Sequence, residues 1–354
     1  MYVGRLAPSP TGALHLGNVR TFMIAWLRAR SQGGRVLFRM EDLDHPKDKP
    51  GADVQAVEDL KWLGFDWDEE YVQSQRKDLY RDALNYLRSK QARPTYCRGL
   101  RDSPTHPPAP LVYPCVCSRR DVENAQSAPH AGEQLFYPGT CRNRFATYAE
   151  ALAYLQATQP PCRIPCWRFF VPDNTVVTFA DAFAGPFTQN VSATLGDFPL
   201  ARDEGGAGYT LACTVDDLLT GVTEVVRGDD LLAATPAQIL LARALAPWVA
   251  STNHQQPATN NQQPSFCHVP LVVGPDGRRL AKRHGDTRVA TFRAQGKRPE
   301  EILGYLAASC GWAEKGEAVS LADLIPRFDL STIPHAPLVH CRLNCHGMDF
   351  RGLF

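Results

Sequence analysis

The chain has 354 residues, 44% hydrophobic and 21% charged, with a formal net charge of +1. This length suits about two domains and this composition a globular protein; the near-zero charge argues against a protein that coats nucleic acid and leaves room only for a local basic groove. No basic-then-apolar leader opens the sequence, so its eleven cysteines are expected to be thiols or metal ligands in a cytoplasmic protein rather than disulfides.

In chain order, residues 3–8 read as a short strand that ends in Pro8-Ser9-Pro10-Thr11-Gly12 and runs into His15-Leu16-Gly17-Asn18. Glycine lets a ligand approach the backbone, and a helix start offers unpaired N–H groups to an anion, so the stretch is a candidate phosphate site. Val19, Phe22, Met23, Trp26 and Leu27 then recur at helical spacing as far as Gly33-Gly34. Val36-Leu37-Phe38 is a second strand candidate and leads into Arg39-Met40-Glu41-Asp42. A second helical pattern covers Ala52 to Leu63 and stops at Gly64. The alternation predicts a parallel α/β sheet, whose ligands sit beyond the carboxyl ends of the strands. Pro8–Gly12 and Glu41 are therefore expected at one rim.

Residues 101–114 are proline-rich and read as a boundary. Residues 115–200, with cysteines and short aromatic strand candidates such as Trp167–Val171, read as an insertion between two halves of the sheet. Cys115, Cys117 and Cys141 are three thiolates at a spacing suited to zinc, and the residues alone leave the fourth ligand open. Cys162 and Cys166 are expected to be ordinary thiols. From Tyr209 the α/β texture returns. The apolar stretch Leu231 to Ala250 is interrupted by Pro236, Arg243 and Pro247. It reads as an ordinary helix capped by Thr235 rather than a membrane span.

Residues 251–265 read as a polar low-complexity surface loop. Residues 274–285 begin with a Pro-Asp-Gly turn and deliver a basic loop containing Arg279 and Lys282. A glycine-containing helix start and a distant basic loop can hold a triphosphate from both sides and stabilise charge as pyrophosphate leaves. Near the end, His340, Cys341, Cys345 and His346 bring ligand residue types close together and read as tail rather than as a metal site.

Five ordered segments carry a resemblance. RLAPSPTGALHLGN (5–18) resembles the first signature of class I aminoacyl-tRNA synthetases in the form used by the glutamyl branch, and RLAKRHG (279–285) resembles the second, the K-M-S-K-S loop. RMEDLD (39–44), QSQR (73–76) and YTLACTVDDLLTGVTEVVRGDDLL (209–232) are similar to segments between them. The resemblance spans roughly residues 3–320 and implies a Rossmann-like parallel α/β sheet with an inserted zinc-containing α+β subdomain and a short helical C-terminal extension. The implied divisions are 1–100 and 201–290 for the two halves of the catalytic domain, 101–200 for the insertion, and 291–354 for the extension.

The resemblance also implies roles. Arg5, Ser9, Glu41, Tyr209 and Arg227 would contact glutamate, with Glu41 on its ammonium. His15, Gly17 and Lys282 would bind ATP, which brings Mg²⁺ with it; His15 would steady the α-phosphate and Lys282 the leaving pyrophosphate. A substrate with two carboxylates and an ammonium needs an arginine fork and a carboxylate, so the residue types suit. Arg279 and Ala281 depart from the lysine and serine of the second signature, and Cys213 stands where tRNA-charging glutamyl enzymes commonly carry asparagine. The pattern C-x-C…Y-x-x-x-C is similar to the zinc site of the short glutamyl-queuosine enzymes, which implies Tyr137 as the fourth ligand of one structural zinc beside Cys115, Cys117 and Cys141.

About 70 residues follow Gly285, too few for the helical domain with which tRNA-charging relatives read the anticodon. The architecture is therefore similar to the glutamyl-queuosine tRNA(Asp) synthetases, which activate glutamate without tRNA and attach it to queuosine in the anticodon loop of tRNA(Asp). A monomer without membrane contact is expected. The alternatives are a truncated glutamyl-tRNA synthetase that needs an anticodon-binding partner, and an inactive synthetase-like binding module.

Overall fold

The computed structural model describes residues 1–43, 49–90, 110–125, 136–158, 163–203, 206–252, 263–278, 280 and 287–340. The first half contains β1 (Val3–Leu6), α1 (Leu16–Arg30), β2 (Arg35–Met40), α2 (Ala52–Trp62), β3 (Glu69–Val72), a 3₁₀ turn over Gln73–Arg76 and α3 (Lys77–Arg88). β1, β2 and β3 form a parallel sheet in that order, with Val3 opposite Arg35 and Leu37 opposite Glu69. All of β1 and five of the six residues of β2 are buried. This is why these strands read as continuous apolar runs: a parallel sheet has helices over both faces. α1 begins at Leu16, within the His15–Asn18 segment read as a helix start, and the chain turns back through Gly33 at φ +62°, a conformation glycine adopts without strain.

The middle of the chain contains β4 (Val112–Cys115), α4 (Arg119–Ala125), α5 (Tyr148–Thr158), β5 (Cys166–Phe169), β6 (Val176–Asp181), β7 (Gly185–Asn190), the single turn α6 (Val191–Thr194) and β8 (Phe198–Ala201). β4, β5 and β8 make a small antiparallel sheet. The β6–β7 hairpin leaves that sheet and joins the next one.

The third stretch supplies α7 (Tyr209–Leu219), β9 (Glu224–Gly228), α8 (Thr235–Ser251) and β10 (Ser265–Val269). β9 and β10 are parallel, and the four-stranded sheet runs β7-β6-β10-β9. β9 abuts β1: the Thr223 N–H donates to Val3 O at 2.9 Å, and Val3 N–H donates to Thr223 Oγ1 at 2.9 Å. The carboxyl ends of β1, β2 and β9 thus open on one side. β11 (Val272–Val273), α9 (Val289–Ala294), α10 (Pro299–Ala308), α11 (Leu321–Leu324) and β12 (Leu338–Val339) follow.

One apolar core joins α1, β2 and α2 to α10 and α11; a second joins α3, α7 and α8 to the sheets; a third, smaller one underlies β4 and α5. Arg20 fastens the first of these. It is 1% exposed, yet its guanidinium donates to Pro270 O at 2.7 Å and Ser309 Oγ at 3.1 Å, which satisfies a buried charge. Residues 229–251 are apolar and long enough to cross a membrane, but the segment is mostly buried inside the fold. The stretch 253–262 and the tail beyond His340, singled out in the sequence, lie outside the described residues.

Candidate active site

A cleft of about 1360 Å³ opens beyond the carboxyl ends of β1, β2 and β9, against the start of α1. Arg5, Ser9, His15, Gly17, Glu41, Tyr209 and Arg227 all line it. The two rim segments are tied directly, since Glu41 N–H donates to Pro8 O at 2.9 Å. Lys282, with Arg279 and Ala281, lies outside the described residues; Leu280 before it and Thr287 after it both line the cleft.

The floor is a charged network that the sequence did not reveal. Arg39, fully buried on β2, donates to Glu41 Oε1 at 3.0 Å and to Asp217 Oδ1 at 2.5 Å. Arg5 Nη1 donates to Val226 O at 2.9 Å. Arg5 Nε lies 3.8 Å from Asp217 Oδ1, beyond hydrogen-bond reach, and is buried without a hydrogen-bond partner. A buried donor left open in this way costs about 1–3 kcal/mol unless a ligand or water takes it. Cys213 Sγ stands 3.2 Å from Glu41 Oε1. Burial, reinforced by the Glu41 charge, pushes this thiol well above its usual range, so the neutral S–H donates to the carboxylate. Ser9 Oγ reaches the other Glu41 oxygen only at 3.5 Å.

α7 carries this network because it is buried nearly all round. Asp216 receives Gln73 Nε2 at 2.9 Å, Arg76 Nε at 2.8 Å and the Tyr80 hydroxyl at 2.9 Å. The QSQR segment therefore braces α7 rather than lining the cleft. Each bond to such a charged group is worth about 1.5–3 kcal/mol.

The start of α1 corrects the simple anion-site expectation. Leu16 N–H donates to Thr287 O at 3.1 Å, and Gly17 N–H donates to the ring Nδ1 of His15 at 3.1 Å. These helix-start donors are already engaged, and the group brought to the cleft wall is the His15 ring. Glycine at position 17 leaves that ring room, since a Cβ there would lie 3.0 Å from His15 Cε1. Thr235 brings a second correction. It is the first residue of α8 and caps nothing; its hydroxyl instead accepts from Arg227 Nη2 at 2.8 Å. Arg227 Nε donates to His268 Nε2 at 3.0 Å, and His268 Nδ1 lies 2.6 Å from Asp181 Oδ2.

A second cluster sits under β4. The thiol sulfurs of Cys115, Cys117 and Cys141 lie within 4.8 Å of one another, with Cys117 and Cys141 at 3.6 Å. The Tyr137 hydroxyl is 3.2 Å from Cys115 Sγ and 3.8 Å from Cys117 Sγ. A tetrahedral zinc with bonds of about 2.3 Å spaces its sulfurs about 3.8 Å apart, so the donor set fits that ion. The neighbouring thiols of Cys117, Cys141 and Cys166, with Arg168 behind them, hold Cys115 well below the usual thiol range. Arg168 Nε donates to Cys115 Sγ at 3.1 Å. Cys166 pairs opposite Cys115 across β4 and β5, nearer the cluster than its place in the sequence suggested; Cys162 lies outside the described residues. Buried Asp197 ties the region together, accepting from Arg142 at 2.6 and 2.7 Å, from Val171 N–H at 2.7 Å and from the Tyr113 hydroxyl.

Comparison with known proteins bears on the whole chain. Residues 2–92 and 111–340 match the family described as tRNA synthetases class I (E and Q), catalytic domain. The chain is 43% identical over 349 residues to a Glutamyl-Q tRNA(Asp) synthetase of Symbiobacterium thermophilum, covering 96% of this chain and 95% of that protein. It is 36% identical to the Glutamate--tRNA ligase of Aquifex aeolicus, covering 95% of this chain but 63% of that one. A crystal structure of a glutamate tRNA ligase from Elizabethkingia meningosepticum, in complex with its amino acid, superposes with a TM-score of 0.70 at 26% identity, over 96% of this chain and 66% of that chain. The chain thus spans just under two thirds of the length of those two ligases.

Proposed function

The chain belongs to the glutamyl-Q tRNA(Asp) synthetases, within the class I tRNA synthetases of the E and Q type, and from that premise we propose how its cleft works. The enzyme is a ligase that activates glutamate with ATP and transfers the glutamyl group to queuosine in tRNA(Asp). The 43% identity to the Symbiobacterium thermophilum relative, against 36% to the Aquifex aeolicus ligase, carries this conclusion over a minimal glutamyl-tRNA synthetase.

In the proposed mechanism Arg5 and Arg227 take glutamate's carboxylates and Glu41 its ammonium, with Ser9 and Tyr209 completing the contacts at the rim. The place of all five residues on the lining of one cleft supports this assignment. Glutamate's α-carboxylate attacks the α-phosphorus of ATP, the bond to the β-phosphate breaks, and pyrophosphate leaves. No base is needed, because the nucleophile is already ionised. Gly17 and His15 hold the nucleotide, His15 meets charge building on the α-phosphate, and Lys282 meets it on the pyrophosphate. Catalysis is by positioning and electrostatics, with Mg²⁺ arriving on the nucleotide. A diol on queuosine then attacks the acyl carbonyl and AMP departs. The experiment that tests this assignment is glutamate-dependent ATP–pyrophosphate exchange without tRNA. Exchange should occur, and glutamine should be a poor substrate because it leaves an arginine facing an uncharged amide. Exchange that requires tRNA would favour a glutamyl-tRNA synthetase instead.

Cys115, Cys117, Cys141 and Tyr137 are proposed to hold one zinc, which would cross-link β4 to the loop before α5 and stabilise residues 101–200 as an inserted unit between catalytic halves 1–100 and 201–290, with 291–354 as the extension. Elemental analysis should find about one zinc per chain. Cys115→Ser or Cys141→Ser should lose zinc and solubility together, and Cys341→Ser should lose neither. Full-length folded protein without metal would contradict the assignment. A cytoplasmic, monomeric enzyme completes the proposal.

A further inference from the structure

We infer that His268, held by Asp181 with its proton on Nδ1, is a positioning residue for Arg227 that fixes which edge of the guanidinium meets glutamate. The inference rests on the assignment of Arg227 as a glutamate contact and adds the two residues behind it. Asp181 ends β6, His268 lies in β10 and Arg227 in β9, so the relay crosses three neighbouring strands of one sheet. Asp181 Oδ1 accepts three backbone N–H groups, from His268 at 3.0 Å, Phe183 at 3.0 Å and Ala184 at 2.8 Å. Its Oδ2 is left to face the ring Nδ1 at 2.6 Å.

Two independent constraints set the proton. Burial pushes the Asp181 carboxyl up, but the hydrogen bonds from His268 and the backbone outweigh it, and the group sits below its usual range. An ionised Oδ2 needs a donor, so Nδ1 carries the hydrogen. On the opposite side, Nε2 faces Arg227 Nε at 3.0 Å, and an arginine nitrogen can only donate. Nε2 must therefore be the bare acceptor. Burial, foremost, keeps His268 below the usual histidine range, which leaves the ring neutral. Thr235 Oγ1 accepts from Arg227 Nη2 at 2.8 Å and lies 3.0 Å from the same ring nitrogen. Nε and Nη2 are thereby fixed by protein, and Nη1 is the guanidinium nitrogen without a protein partner among the described residues. His268 itself lines no part of the cleft, so it acts through Arg227.

Two amide substitutions separate the two sides of the ring. His268→Gln places an oxygen near the Nε2 position and keeps an acceptor for Arg227. His268→Asn places an amide near the Nδ1 position and keeps a donor for Asp181 alone. In pyrophosphate exchange, His268→Asn should raise KM for glutamate about tenfold or more with kcat held within about threefold, because a hydrogen bond to a charged group is lost. His268→Gln should recover most of that affinity. The reverse order, or an equal loss in both variants, would overturn the inference. Arg227→Ala separates its failure from that of the underlying assignment. An unchanged KM in Arg227→Ala would show that Arg227 is no glutamate contact; a raised KM there beside wild-type affinity in both His268 variants would refute the relay alone. Two-bond nitrogen–proton NMR on the unaltered protein gives a test independent of how the variants fold. A proton on Nδ1 and a bare Nε2 is the expected result, and a proton on Nε2 would refute the inference.

Discussion

Arg5→Ala is expected to lower kcat/KM for glutamate in pyrophosphate exchange by about a hundredfold or more. Arg5 is 7% exposed and stands at the cleft floor. Removing it leaves a substrate carboxylate unpaired in a largely desolvated site, which costs about 2–4 kcal/mol, or roughly 30- to 1000-fold. The framework should survive, because Asp217 keeps Arg39 at 2.5 Å and Val226 O loses only one donor. Thermal unfolding should therefore shift little while exchange collapses. Arg5→Lys should restore only a part, since a lysine offers a point charge in place of a fork. Activity of Arg5→Ala within about threefold of wild type would show that the carboxylates bind elsewhere.

Lys282→Ala is expected to slow adenylate formation about a hundredfold or more while leaving glutamate binding within about threefold. Leu280 and Thr287, on either side of Lys282 in the chain, both line the cleft. A lysine between them is proposed to meet charge that builds only as pyrophosphate leaves, so its loss falls on the transition state rather than the ground state. Single-turnover formation of the adenylate separates the two. A weakened glutamate affinity with an unchanged rate would mean that the lysine is misassigned.

Much of this cleft was legible in the sequence because local signals and chain order agree there. Strands β1 and β2 are apolar runs, α1 has a clear helical period, and the rule for parallel sheets puts Pro8–Gly12 and Glu41 at one rim. What could not be read depends on distant partners. Asp216 and Asp217 sit side by side in α7 and look like a solvated pair, yet both are buried because α7 is covered on every side. Their apolar flanks, Leu211 to Val215 and Leu218-Leu219, were the available signal. His268 is one polar residue among apolar neighbours in β10; its partners come from β6 and β9, and nothing local announces that a hairpin in the middle of the chain joins β10. The His15 ring turned back on the Gly17 amide, and the Thr235 hydroxyl turned toward Arg227, are side-chain choices that a motif does not encode.

The central claim is the acceptor. With the adenylate proposed to form in this cleft, tRNA would bring its reactive group to the rim formed by Pro8–Gly12 and Glu41. An anticodon loop is single-stranded and can splay a modified base into such a cleft, held by phosphate contacts that weaken with salt. The most direct measurement incubates enzyme, ATP and labelled glutamate with tRNA(Asp) from cells that make queuosine and from cells that do not, with tRNA(Glu) lacking queuosine beside them. The account predicts label only on queuosine-bearing tRNA(Asp), recovered with the anticodon-loop nucleoside and not with the 3′ adenosine. Equal labelling of tRNA(Glu), carried on its 3′ end, would contradict it.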